Sequence, residues 1–225
     1  MFGNVRRTLE QMTDPTFRRV LAASLGATFA MMAALLGLAF WASGFIPEFG
    51  WQWVNATIDW LLGLGLVIGS VFLILPVSAI FVGLFLDQVA EAVEVKHYAD
   101  GPKGRSQPFW PGVWTGLRFA LVLVGANILA LFFYVALPGL NLAIFLGVNG
   151  YLLSREYFEL AGHRLLPPGE VTRLRRRNRG KVMVAGVLIA ALMLVPVINL
   201  IAPLFGTALM VHEFRRLGAA EIAAG

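Results

Sequence analysis

With 225 residues, 58% of them hydrophobic, only 14% charged, and a mean hydropathy of +0.75, the chain carries more apolar side chain than a soluble core of its size can bury. That excludes a soluble globular domain and makes it an integral membrane protein. The net charge of +5 and pI near 10.1 come without any nucleic-acid-reading motif, so the basic residues belong to a membrane face and not to nucleic acid; with no cysteine, disulfides, thiol catalysis and cysteine-ligated metals are excluded too.

The chain opens with MFGNVRRTLEQM, in which Phe2, Val5, Leu9 and Met12 recur at helical spacing opposite Arg6, Arg7 and Glu10. This predicts an interfacial amphipathic helix over 1–13. Asp14 as N-cap and Pro15 at the first helical position then restart the chain. The apolar run that follows is too long, and too close to Glu10 and Asp14, for a cleaved signal peptide, so it reads as a first long transmembrane helix over 15–47. Along it Ala22, Gly26, Ala30 and Ala34 form a small-residue stripe, answered by Gly65 and Gly69 on the next helix, and such stripes mark helix packing. A second long helix is expected over 59–98. Its continuation DQVAEAVEVKHY places Asp87, Glu91 and Glu94 on one face, outside the membrane, where arginines can meet them. The loop from Glu48 to Asp59 has no Lys or Arg, and Trp41, Trp51, Trp53 and Trp60 cluster about it as an aromatic belt. By the positive-inside rule that loop is external and the amino terminus cytoplasmic.

Two further uncharged blocks, Phe119 to Ser154 and Val182 to Val211, are bounded at both ends by basic residues: Arg118 and Arg155, then Lys181 and Arg215/Arg216, with RLRRRNRGK at 173–181 between them. The eighteen Lys and Arg residues share one face only if each block enters and leaves by the cytoplasmic side. Folded in half, the blocks have legs of about 17 and about 14 residues, reaching about 25 and about 20 Å, against about 30 Å of hydrocarbon. The expected fold is therefore an all-α integral membrane protein: two long transmembrane helices plus two re-entrant, partly penetrating helical hairpins over 118–155 and 181–213, in one membrane domain across 1–225. The hairpins turn at Pro138-Gly139 and Pro196-Val197, with Asn141 and Asn199 as N-caps of the second legs. The alternative is two proline-kinked single helices.

No Walker loop or HExxH occurs, GLGLVIG at 63–69 misses the GxGxxG spacing, and no serine or acid stands in a nucleophile arrangement. His97, His163 and His212 lack ligand spacing. The chain is thus expected to be neither an enzyme nor a nucleotide-driven pump, and to need no metal or cofactor. What the breaks do offer is a helix amino terminus inside the membrane, with about half a positive charge, where Asn141 and Asn199 either add donors for an anion or serve as caps alone.

NGYLLSREYFEL at 149–160, RLRRRNRGK, and VPVINLIAPLFGTALMVHEFRR at 195–216 together resemble the CysZ-like sulfate permease family, whose eukaryotic relatives are etoposide-induced membrane proteins. The resemblance covers nearly the whole chain. It implies an inner-membrane protein with two long helices and partly inserted hairpins, taking up sulfate for cysteine synthesis without nucleotide hydrolysis, as a homo-oligomer. The family's sulfate-associated phrase, Pro-Gly-Leu-Arg followed by a second basic residue, falls on Pro15, Thr16, Phe17, Arg18 and Arg19, with Thr16 in place of glycine and Phe17 in place of leucine. The resemblance makes Arg18 and Arg19 the anion-gathering residues, for sulfate or a related oxyanion. Anionic lipid is the expected partner of the basic face. The reading from another class is a non-transporting membrane scaffold or assembly factor that recruits partners through that face.

Overall fold

The first long helix begins where its chemistry dictates. Asp14 has extended backbone angles and accepts a hydrogen bond from the Thr16 N–H at 2.9 Å, with Pro15 at the first helical position. The computed structural model describes residues 2–46, 50–106, 109–219 and 222. Their order is α1 (Phe2–Gln11), α2 (Pro15–Ser43), α3 (Gln52–His97), α4 (Phe109–Ala136), a 3-10 turn (Pro138–Leu140), α5 (Asn141–His163), α6 (Pro168–Arg177), α7 (Arg179–Leu192), α8 (Pro196–Asn199) and α9 (Ala202–Leu217). No strand occurs among the described residues. Glu48, at the head of the predicted external loop, and the Phe2 side chain lie outside them.

Among the described residues, two stretches are long and apolar enough to cross a bilayer, Pro15–Ser43 and Gln52–Ser70. The 46 residues of α3 extend about 69 Å, far more than any bilayer needs, so part of this helix must project beyond the hydrocarbon. Packed along α3, α2 buries Phe17, Val20, Ser24, Thr28 and Met32, a stripe at three- and four-residue steps. The small-residue stripe does not face this contact. Ala22, Gly26, Ala30 and Ala34 are exposed, and a Cβ added at Gly26, Gly65 or Gly69 would meet nothing within 4 Å. The interface is taken instead by the apolar Phe17, Val20 and Met32, with Ser24 and Thr28 between them donating their hydroxyls to the Leu21 and Ser24 carbonyls of their own helix.

Close backbone approach occurs elsewhere, between α5 and α7. A Cβ on Gly150 would stand 2.7 Å from Val187 Cγ2 and 3.1 Å from its Cα, and one on Gly186 would run into the Gly150 carbonyl and 2.9 Å from Ser154 Cα. Around this contact the core gathers Leu153, Phe158, Val182, Ala185, Ile189, Leu204, Ala208 and Leu209.

The chain doubles back twice. Asn127 of α4 pairs with Asn149 of α5, and a Cβ on Gly206 of α9 would lie 3.1 Å from Ile189 Cδ1 of α7. Each pair straddles its turn almost symmetrically, as antiparallel neighbours must. The turns depart from expectation in their capping. Asn141 is the first residue of α5, at φ −52° and ψ −44°, and not its N-cap; with its amide oriented to pair donor with acceptor, it donates to the Tyr134 and Leu137 carbonyls at 3.0 and 3.2 Å. It therefore closes the end of α4, satisfying carbonyls that the helix leaves open. Asn199 is the last residue of α8, and the N-cap of α9 is Ile201, without a side-chain cap. In both turns an extra helical piece, the 3-10 turn or α8, displaces the asparagine from the capping position.

The amphipathic α1 also docks in an unexpected sense. It buries its polar edge, Asn4, Thr8 and Gln11, while Leu9 remains 54% exposed.

Candidate functional site

The ends of α3, α5 and α9 and the start of α2 converge on one side of the molecule, and the charged chemistry collects there. Arg164, just past α5, has a fully buried side chain and ion-pairs with Asp87 and, at 3.1 Å, with Glu94, both on α3. Arg215 of α9 reaches Glu94 at 3.3 Å, donates to the Pro102 carbonyl at 2.8 Å, and lies over the Tyr98 ring at 5.1 Å. The 102–106 segment straps across these groups. Its Arg105 N–H donates to the Arg164 carbonyl at 2.8 Å, and Gly104 sits so close that a Cβ there would be 2.9 Å from Arg164 Nε. Two guanidinium groups balance two carboxylates, so this is a clamp holding three helices and not an open anion site.

Beside it, α1 meets α3 and α9 in a polar layer. Asn4 donates to Glu213 at 2.9 Å, the His97 and His212 rings meet edge to face at 5.0 Å, and the Tyr98 hydroxyl lies 2.9 Å from His212 Nδ1. Burial, aided by the His97 and Arg7 charges, pushes His212 down to about 4. At neutral pH the His212 ring is therefore uncharged, with its Nδ1 paired with the Tyr98 hydroxyl. The sign follows directly: an unfolded chain protonates near pH 6.5, so the stability that neutral His212 contributes is complete above 6.5 and drains as pH falls toward 4, by roughly 3 kcal/mol in all. A melting series in detergent should show that acid slope, and His212→Asn should flatten it.

The predicted site residues fall in three places. Arg18 and Arg19 are exposed on the first turn of α2 and pair with no carboxylate among the described residues. Thr16 is exposed, its N–H committed to Asp14; Phe17, 3% exposed, is packed in the core. Asp14, which would otherwise oppose an anion there, is engaged by Lys96 of α3 at 2.9 Å; that bond and the Thr16 N–H hold its carboxyl below the usual range. The turn residues Asn141 and Asn199 stand at the far ends of their helices from this charged layer. Among the described residues, no group of three or more His, Cys, Asp or Glu is placed to hold a metal.

Sequence reasoning missed the Asn127–Asn149 pair, whose amides exchange hydrogen bonds of 3.3 and 3.4 Å across α4 and α5. It also missed the partners of the acidic face on α3. The two asparagines stand 22 residues apart on opposite legs of the turn, and nothing in the local sequence around either marks the other as its partner.

Residues 4–203 match the family described as sulfate transporter CysZ/etoposide-induced protein 2.4. The chain belongs to this family. No curated protein matches it. The match takes in α1 through α8, including the Thr16–Arg19 phrase and both turns, and ends at the start of α9. As a CysZ/etoposide-induced family member with two apolar helices of spanning length, it is a membrane protein of a transporter-type family.

Proposed function

We propose that the chain is an inner-membrane permease for sulfate or a closely related oxyanion, serving sulfur assimilation and cysteine synthesis without nucleotide hydrolysis and without catalysis. The observation that carries this reading is the family match over 4–203 combined with the state of its anion phrase: Arg18 and Arg19 are exposed and pair with no carboxylate among the described residues, while Asp14 is neutralised by Lys96. Phe17, locked in the core, holds the arginines in place, and Thr16 offers its hydroxyl beside them. Asn141 and Asn199 line the inner turns of the route.

In this reading the antiparallel α4–α5 and α7–α9 pairs are re-entrant hairpins that enter a bacterial inner membrane from the cytoplasmic face, where the amino terminus also lies. The exposed basic residues of α6 and early α7, Arg173, Arg176, Arg179 and Lys181, rest on anionic lipid, and the exposed small-residue stripe of α2 suits a homo-oligomeric contact. That same basic face favours the second reading, a scaffold that recruits partners without transporting.

Radiolabelled sulfate flux into proteoliposomes separates the two. Wild type should carry sulfate above empty liposomes, and Arg18→Ala/Arg19→Ala should lose at least about tenfold, the consequence of about 1.4 kcal/mol of added barrier. No wild-type flux under several pH gradients supports the scaffold instead.

A further inference from the structure

The Asn127–Asn149 pair is one rung of a longer polar seam. Tyr134 follows Asn127 by seven residues, two helical turns, so it shares the α4 face that meets α5; its hydroxyl is buried and has no hydrogen-bond partner among the described residues. Seven residues further stands Asn141, whose amide closes on the Tyr134 and Leu137 carbonyls. Asn127 and Tyr134 thus stand two turns apart on one face of α4, with Asn149 of α5 opposite and Asn141 at the turn between the helices, while the flanking residues Ile128, Leu129, Leu131 and Phe132 turn outward. An apolar helix pair has no packing need for such a row. Asn149 also donates to the Phe145 carbonyl at 3.1 Å, the inter-helix amide bonds, at 3.3 and 3.4 Å, are at the weak end of the range, and the Tyr134 hydroxyl is left as a donor without an acceptor among the described residues.

We infer that the α4–α5 seam is the route of the anion through the protein, with the Asn127 and Asn149 carboxamides and the Tyr134 hydroxyl as successive hydrogen-bond donors to its oxygens. The inference rests on the permease reading and names its path. Every donor in the row is neutral, and this suits transit. A fixed cation at that depth would hold a dianion too tightly for release, whereas uncharged N–H and O–H groups replace part of its hydration and let it go. Arg18 and Arg19 gather the ion at the charged surface; the seam conducts it.

Tyr134→Phe is the decisive variant, because the hydroxyl makes no hydrogen bond among the described residues. A merely structural tyrosine predicts that its loss leaves flux unchanged and leaves stability equal or slightly higher. The seam predicts sulfate flux into proteoliposomes lowered about tenfold with an unchanged melting temperature, and a comparable loss for Asn149→Leu, with Asn149→Gln restoring part of it. Undiminished flux in folded Tyr134→Phe, beside an active wild type, overturns the route and leaves the permease reading standing. A wild type with no flux overturns both.

Discussion

Arg164→Met is expected to destabilise the protein by about 3–5 kcal/mol, the range for removing one partner from a buried ion pair. The arginine side chain is fully buried between Asp87 and Glu94, and methionine of similar length would leave both carboxylates without their shared cation. Arg215 still reaches Glu94, so the charge stranded outright is that of Asp87. Because the clamp joins α3, α5 and α9, the loss should appear as a single lowered unfolding transition in detergent and not as local fraying. Asp87→Asn combined with Arg164→Met should recover part of the loss, since it removes the stranded carboxylate. A double variant no more stable than Arg164→Met would mean that the arginine acts by packing alone.

Gly186→Leu should be as damaging by a different route. Even one carbon at this position meets the Gly150 carbonyl and the Ser154 side chain, and the obstruction on one side is backbone, which cannot rotate away. The helices α5 and α7 must separate, opening the best-packed region of the core. Overpacking costs about 1–3 kcal/mol where side chains can adjust, and more is expected where backbone is the obstacle. Size-exclusion profiles in detergent should show loss of the monodisperse species. Gly26→Leu is the matched control: with nothing within 4 Å of its Cβ, it should leave the melting temperature of the isolated protomer unchanged.

These two glycines show where reading the sequence succeeds and where it stops. Gly26, Gly65 and Gly69 carry the familiar spacing, yet Gly150 and Gly186 make the contact. Small residues recur throughout apolar helices, and only the position of the partner helix decides which are used. Asp14-Pro15 was legible because an N-cap acts within three residues. The acidic face of α3 was legible as a face in search of arginines; its partners were not, because Arg164 lies 70 and 77 residues away from Glu94 and Asp87 in the chain. Asn141 and Asn199 marked the turns correctly and their capping incorrectly, since one extra helical turn at each break shifts the asparagine off the cap. The Thr16–Arg19 phrase could be placed from sequence, whereas the neutralisation of Asp14 by Lys96, 82 residues on, appears only in the fold.

The account depends most on the charged ends of all the helices sharing one face of the membrane, with the α4–α5 and α7–α9 pairs re-entering from it. The absence of native cysteine allows a direct measurement. Single cysteines at Trp53, Gly139 and Arg176 would be labelled in intact spheroplasts with a membrane-impermeant thiol reagent, and again after permeabilisation. The account predicts external labelling at position 53, little at turn position 139, which the re-entrant reading sets inside the membrane, and labelling at 176 only once the membrane is opened. Strong labelling of 176 in intact spheroplasts would place the basic α6 outside and contradict the shared face, and with it the hairpins.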